Sequence, residues 1–146
     1  MKIILQRVRS AAVEIAGVKV GTIGQGVLLL VGFGEGDTES KLRPLAEKIA
    51  VMRIFPNAAG KFDRSLVDIG GSVLLVPQFT LFADTSKGRR PDFFGALRPE
   101  LATPLFDQLI TVFEQILPGQ VAAGVFGADM LVSLENDGPV TIPIDF

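Results

Sequence analysis

The sequence is 146 residues long, with 14 basic and 16 acidic side chains and a formal charge of −2. It contains no His, Cys, Trp or Tyr, and its only aromatic residues are 11 Phe. This composition excludes a Ser-His-Asp or Cys-His machine within one chain, a Cys/His zinc site and a globally basic nucleic-acid binder.

Residues 2–8 read as an apolar strand. Residues 12–15 and 18–23 flank Ala16-Gly17, a hairpin signal. A Gly24-Gln25-Gly26 turn leads into the β-branched and Leu-rich run 27–31. Gly32, Gly34 and Gly36 then loosen the chain. Asp37 or Thr38 is placed to cap a helix whose apolar face is Leu42, Leu45, Ile49 and Met52, with Arg53 at the same spacing. Pro44 either opens the regular part of that helix or bends it. Pro56-Asn57 and Gly60 mark a turn.

Gly70-Gly71 precedes a second apolar run, residues 72–76, which continues through Pro77-Gln78-Phe79-Thr80-Leu81-Phe82. A proline there implies an edge, a bulge or a break. Residues 84–98 are polar and basic and read as a long loop. A helix follows from Pro99 or Thr103, with Leu105, Leu109, Val112, Phe113 and Ile116 on one face, and Leu117-Pro118-Gly119 stops it. Three strands are expected to close the chain, at 121–126, 130–134 and 140–144. The predicted fold is a single α+β domain over residues 1–146. Its sheet is mixed or mostly antiparallel, with two main helices.

Apolar residues make up 48% of the chain, in runs of strand length that are too short to span a membrane as helices. Lys2, Gln6 and Arg7 interrupt the opening segment, which therefore lacks the form of a signal peptide. The lack of Cys suits the cytoplasm. The apolar surplus implies surface covered by a second copy of the chain.

Five segments invite a chemical reading. Residues 32–37 lie between a strand and a helix, where a phosphate-cradling loop would sit, but their spacing fits no dinucleotide fingerprint. Lys87, Arg89 and Arg90 form a compact basic run, either a solvated loop or an anion contact. Thr80 is a nucleophile in type, yet no base stands beside it in sequence. Residues 136–141 look like a hairpin turn, and Gly138-Pro139 is either a plain tight turn or a cis peptide. The scattered Asp63, Asp68, Asp84, Asp92 and Asp107 suggest no metal site and no paired-carboxylate chemistry.

These segments also form an ordered set. It runs Gln6-Arg7-Val8, then Arg53-Ile54-Phe55 with Gly60-Lys61, then Gln78-Phe79-Thr80-Leu81 with Ala83-Asp84-Thr85. Lys87-Gly88-Arg89-Arg90-Pro91 follows, then residues 124–130, then Asn136-Asp137-Gly138-Pro139-Val140-Thr141. The set resembles the D-aminoacyl-tRNA deacylases, of the D-tyrosyl-tRNA deacylase family, over essentially the whole chain. One departure is Pro77, which stands where the family usually has Ser before Gln-Phe-Thr-Leu. A related deacylase group also has Pro there, but Ala next to the Gln. Pro44 and Pro104 are atypical as well.

The resemblance implies a barrel-like core and a cytoplasmic homodimer, without cofactor or metal, that hydrolyses the ester of D-aminoacyl-tRNA. Gln78, Phe79 and Thr80 would be catalytic, through backbone oxyanion donors and with help from the tRNA 2′-OH. Gly138 and Pro139, joined by a cis peptide and oriented by Arg7, would enter the partner's pocket and exclude L substrates. A steric wedge cannot exclude glycine, so glycyl-tRNA is an expected substrate. Phe126 and Met130 would lie near the terminal adenosine, and Lys87, Arg89 and Arg90 are candidate tRNA phosphate contacts. Two other readings compete: a module that binds an RNA 3′ end without chemistry, and a nucleotide-phosphate enzyme built on the Gly34 to Thr38 helix start.

Overall fold

The computed structural model describes residues 1–146. Strand β1 (Lys2–Ile15) organises the chain. It is antiparallel to β2 (Val18–Ile23), β3 (Gly26–Gly32) and β8 (Leu131–Asp145). Along one edge it pairs β3 with its first half and β2 with its second, while β8 follows almost its whole length. Beyond β3, strands β6 (Ser72–Pro77) and β7 (Val121–Ala123) continue the sheet in parallel. A Cβ on Gly21 of β2 would lie 3.1 Å from the Ala123 carbonyl of β7. The sheet therefore curls until its far strand nears β2, giving a nearly closed barrel of mixed pairing.

The two parallel connections each need a crossover, and each uses a helix. Helix α1 (Leu42–Ala50) lies between β3 and β6, and α2 (Pro99–Ile116) lies between β6 and β7. Strand alternation divides the core. Val27, Leu29, Val31, Val73 and Leu75 face the helices and meet Leu45, Ile49, Phe106 and Phe113. Leu28, Leu74 and Val76 point the other way and pack with Val8, Ala11, Val13 and Ile23 inside the barrel. Fully burying side chains of this size contributes about 1.5–3 kcal/mol each. The predicted α+β domain with two main helices is thus observed.

Several local expectations need correction. Residues 130–134 and 140–144 are not separate strands, and 136–141 is not a hairpin turn. They belong to the single strand β8, because β1 is itself continuous and pairs with both segments. The expected strand at 121–126 stops at Ala123. Helix α1 ends at Ala50, so Met52 and Arg53 lie outside it. A short hairpin follows, of β4 (Phe55–Pro56) and β5 (Phe62–Arg64). Pro44 falls in the first turn of α1, where its missing N–H is not needed. Pro99 begins α2, and Pro104 lies within it without interrupting it. The apolar run after β6 ends its extended course at Pro77, and Phe79–Phe82 forms a 3₁₀ turn.

Candidate functional site

Opposite Arg7 the β1–β8 ladder opens. Gln6 pairs with Thr141 and Val8 with Asn136, so one residue of β1 faces residues 137–140 of β8. The extra residues stand out from the sheet as a bulged loop. Gly138 adopts φ +121°, and the Gly138–Pro139 peptide is cis. A Cβ at Gly138 would lie 2.9 Å from Val140 Cγ2 and 3.0 Å from Arg7 Nη2, so the loop has no room for a larger residue there.

Arg7 holds this loop from beneath. Its Nε donates to the Asp137 carbonyl at 3.1 Å and lies 3.0 Å from the Asp137 carboxylate. Its Nη1 donates to the Ile54 carbonyl, and its guanidinium sits 5.5 Å from the Phe62 ring centroid. Arg7 is buried, whereas Gly138 and Pro139 are exposed. The loop tip is thus presented outward on a rigid base.

Gln78, Phe79 and Thr80 lie just past β6. The Gln78 N–H donates to the Val31 carbonyl at 2.7 Å, which locks the start of the 3₁₀ turn to the end of β3. The Gln78 side-chain amide donates to the Thr80 hydroxyl. Phe79 and Thr80 open the 3₁₀ turn, whose internal hydrogen bonds begin with the Leu81 N–H, so the turn itself does not use their backbone N–H groups. Gly32 and Gly34 make room for this turn. A Cβ at Gly32 would meet the Gln78 carbonyl at 2.8 Å, and one at Gly34 would lie inside the Phe82 ring contact.

Beside the turn runs a cleft with two lobes. The smaller, about 550 Å³, is lined by Pro77, Gln78, Phe79, Phe126, Met130 and Thr103, among others. The larger, about 710 Å³, shares Phe79, Pro99 and Phe126 and extends past Phe93 to Glu35 and Arg98. The Phe126 ring rests 6.4 Å from Phe106 of the core. Gly124 leaves space for Met130, whose sulfur would be 2.6 Å from a Cβ there. The fold therefore brings Gln78, Phe79, Phe126 and Met130 to the cleft, with Thr80 next to Phe79 in the turn but outside the lining of both lobes. It does not bring Gly138 and Pro139 to them, since neither lines either lobe.

Lys87, Arg89 and Arg90 are exposed on a loop whose base is closed by two backbone hydrogen bonds between Asp84 and Asp92. None of the three forms an ion pair within the chain. The Asp84 carboxylate accepts the Ser86 N–H at 2.8 Å, which shapes the loop and lowers the pKa of Asp84.

The phosphate loop considered at residues 32–37 is not formed. The Gly34 N–H donates to Asp37 Oδ2 at 2.8 Å, and Asp37 also pairs with the Met1 ammonium at 2.7 Å and with Lys41. A carboxylate already occupies the place a phosphate would take. No cluster of three His, Cys, Asp or Glu side chains is arranged to hold a metal. No helix is long and apolar enough to cross a membrane.

Several partners of the site carry no local mark in the sequence. Asp137 stands inside a motif that assigns it no role, and nothing nearby in sequence marks Phe62, Gly32 or Gly34. For Phe93 the signal is the Phe93-Phe94 pair next to a basic run.

A family model described as D-Tyr-tRNA(Tyr) deacylase matches residues 4–145. A D-aminoacyl-tRNA deacylase of Akkermansia muciniphila is 52% identical over 99% of this chain and 97% of its own. One of Chloroflexus aurantiacus is 53% identical over 99% of this chain and 90% of its own. A solved structure titled c-Myc DNA Unwinding Element Binding Protein superposes with a TM-score of 0.93 at 35% identity, covering 100% of this chain and 99% of that one. A probable eukaryotic D-amino acid tRNA deacylase shares the fold, with a TM-score of 0.85 at 19% identity over 99% of this chain and 98% of that one. The chain belongs to the D-aminoacyl-tRNA deacylase family, whose members hydrolyse the ester bond of aminoacyl-tRNA.

Proposed function

We propose that residues 1–146 form one deacylase domain that works as a homodimer, each cleft completed by residues 138–139 of the other copy. The observation that carries this reading is the separation within one chain: the Arg7-anchored loop projects outward and reaches neither lobe of its own cleft. Two further features support it. Strand β8 exposes Leu131 and Leu134, and the buried Gln6 Oε1 finds no donor within the chain. An orphaned buried acceptor costs about 1–3 kcal/mol, which a second chain can offset.

In this reading the terminal adenosine lies in the smaller lobe against Phe126 and Met130. The N–H groups of Phe79 and Thr80, which the turn leaves unused, stabilise the oxyanion that forms when water attacks the ester. The chain offers no imidazole, so the tRNA 2′-OH assists the water. Gly138 and Pro139 fill the space an L side chain would need, which rejects that enantiomer by exclusion rather than by weaker attraction. Glycine has no side chain to exclude, so glycyl-tRNA is cleaved too. Lys87, Arg89 and Arg90 contact tRNA phosphates, and the protein acts in the cytoplasm.

The test is release of amino acid from tRNA charged with a D-amino acid, its L enantiomer or glycine, in the presence of a chelator. The expected result is turnover of the D and glycyl esters only. Binding without turnover would favour a non-catalytic RNA-end module, and cleavage of the L ester at the D rate would remove the wedge.

A further inference from the structure

Phe94 is 95% exposed, more than any other large apolar side chain in the molecule. Its backbone is nonetheless held on both sides. The Phe94 N–H donates to Asp92 Oδ1 at 2.7 Å, and the Ala96 N–H closes a turn onto the Phe93 carbonyl at 2.9 Å. The Leu97 N–H then donates to the Phe33 carbonyl at 2.9 Å. Phe93 turns inward and meets Phe79 edge to face at 5.2 Å. One aromatic of the pair therefore grips the candidate site while the other stands in solvent at its rim.

The Phe94 ring lines the larger lobe of the cleft, with Glu35 and Arg98. That lobe borders the smaller one, since Phe79, Pro99 and Phe126 line both. Two residues before Phe94, Asp92 closes the loop that carries the three unpaired cations Lys87, Arg89 and Arg90. An exposed ring on a held backbone, between cations without ion-pair partners and a cleft, is what an unpaired nucleobase and its phosphate require.

We infer that Phe94 is a stacking platform for the penultimate base of the tRNA 3′ end, one nucleotide from the adenosine in the smaller lobe. The inference rests on the deacylase reading above. Arg98 donates to the same nucleotide, and Glu35 accepts from an exocyclic amine of its base. Stacking accepts any base face, so the platform adds affinity without selecting among tRNAs.

The experiment compares wild type, Phe94→Ala and Phe94→Trp on two substrates. One is full-length D-aminoacyl-tRNA. The other is a D-aminoacyl ester of adenosine, which lacks the penultimate nucleotide. Phe94→Ala is expected to raise KM for the tRNA about 5- to 100-fold, from the measured worth of one base–aromatic stack. Its kcat on tRNA and both constants on the adenosine ester should not change, and Phe94→Trp should restore the tRNA KM. An unchanged tRNA KM, or equal losses on both substrates, overturns the platform. So does a change of oligomeric state in Phe94→Ala by sedimentation, because the ring would then be a contact between chains. Those failures leave wild-type turnover intact, whereas wild-type inertness toward both esters would sink the deacylase reading and the platform with it.

Discussion

Arg7 and Asp137, 130 residues apart in sequence, are joined twice: through the Asp137 carbonyl at 3.1 Å and its carboxylate at 3.0 Å. The Arg7 side chain is 7% exposed and that of Asp137 21%. Both contacts fall on Nε, while Nη1 donates to the Ile54 carbonyl, so the planar guanidinium holds two segments at once and fixes direction as well as distance. Arg7→Lys keeps the charge but loses this planar set of donors. Its discrimination between D- and L-aminoacyl-tRNA should fall at least about tenfold, with only a modest loss of thermal stability. Arg7→Ala leaves the Asp137 carboxylate only the exposed Arg9, 3.6 Å away, and should cost about 1–3 kcal/mol in denaturant unfolding. Full enantioselectivity in Arg7→Lys would show that the loop orients itself.

Gly138 tests the same loop from above. Its φ of +121° and its contacts at 2.9 and 3.0 Å leave no place for a Cβ. Gly138→Ala should destabilise the fold by about 1–3 kcal/mol. It should also displace the loop tip, so that hydrolysis of the D ester falls or hydrolysis of the L ester rises. Unchanged rates on both esters would separate the loop from chiral selection.

How much of this was legible in the sequence depends on range. The apolar runs 27–31 and 72–76 reveal buried strands, and the spacing of Leu42, Leu45 and Ile49 reveals a helix, because those signals are local. The continuity of β8 is not local. Residues 136–141 look like a turn by composition, and only pairing with an unbroken β1 keeps both flanks in one strand. Gly32 and Gly34 read as loosening, yet they are close-packing positions, since nothing in the run 32–36 discloses that Phe82 will land there. The ordered motifs name the candidate site residues, but the outward placement of Gly138 and Pro139 appears only in the fold.

Gly34 therefore makes a separate prediction. A Cβ there would fall 2.3 Å from Phe82 Cε1, so Gly34→Ala must displace the ring of Phe82, the last residue of the 3₁₀ turn that carries Phe79 and Thr80. Overpacking of this kind costs about 1–3 kcal/mol. The catalytic loss should exceed what the unfolded fraction explains, with kcat falling in fully folded protein. A normal kcat in folded Gly34→Ala would mean that the turn is not the seat of the chemistry.

Asp37 sets a limit at low pH. Burial raises its pKa, but the hydrogen bonds from Gly34, the Met1 ammonium and Lys41 outweigh that and hold it below 3.8. A depressed carboxylate stabilises the fold above its unfolded pKa, and that contribution is lost as pH falls through the folded value. Stability should therefore decline below about pH 4. Asp37→Asn should be less stable at pH 7 and show a shallower decline in acid. The exposed Asp68 and Asp84 are also lowered and keep part of the slope. Parallel acid curves for wild type and Asp37→Asn would exclude Asp37 as a source.

Thr80 should prove dispensable as a nucleophile. Its hydroxyl accepts a hydrogen bond from the Gln78 amide, which is no base. The loss in Thr80→Ala should be less than the 10²- to 10³-fold drop typical of removing one oxyanion donor, because the backbone N–H remains. An acyl-enzyme trapped on Thr80 by mass spectrometry would reverse that assignment.

The cross-chain site can be tested by mixing two inactive proteins. Gly138→Ala damages the loop and leaves its own cleft intact, while Phe79→Asp damages the cleft and leaves its loop intact. If each site joins a cleft to its partner's loop, a mixed dimer contains one site in which both parts are native. Random pairing of equal amounts then restores about a quarter of wild-type activity. If loop and cleft of the same chain cooperate, every site in the mixture carries a lesion and nothing is recovered. The two architectures thus predict activity and silence from the same tube, read as amino acid released from D-aminoacyl-tRNA after the chains have exchanged.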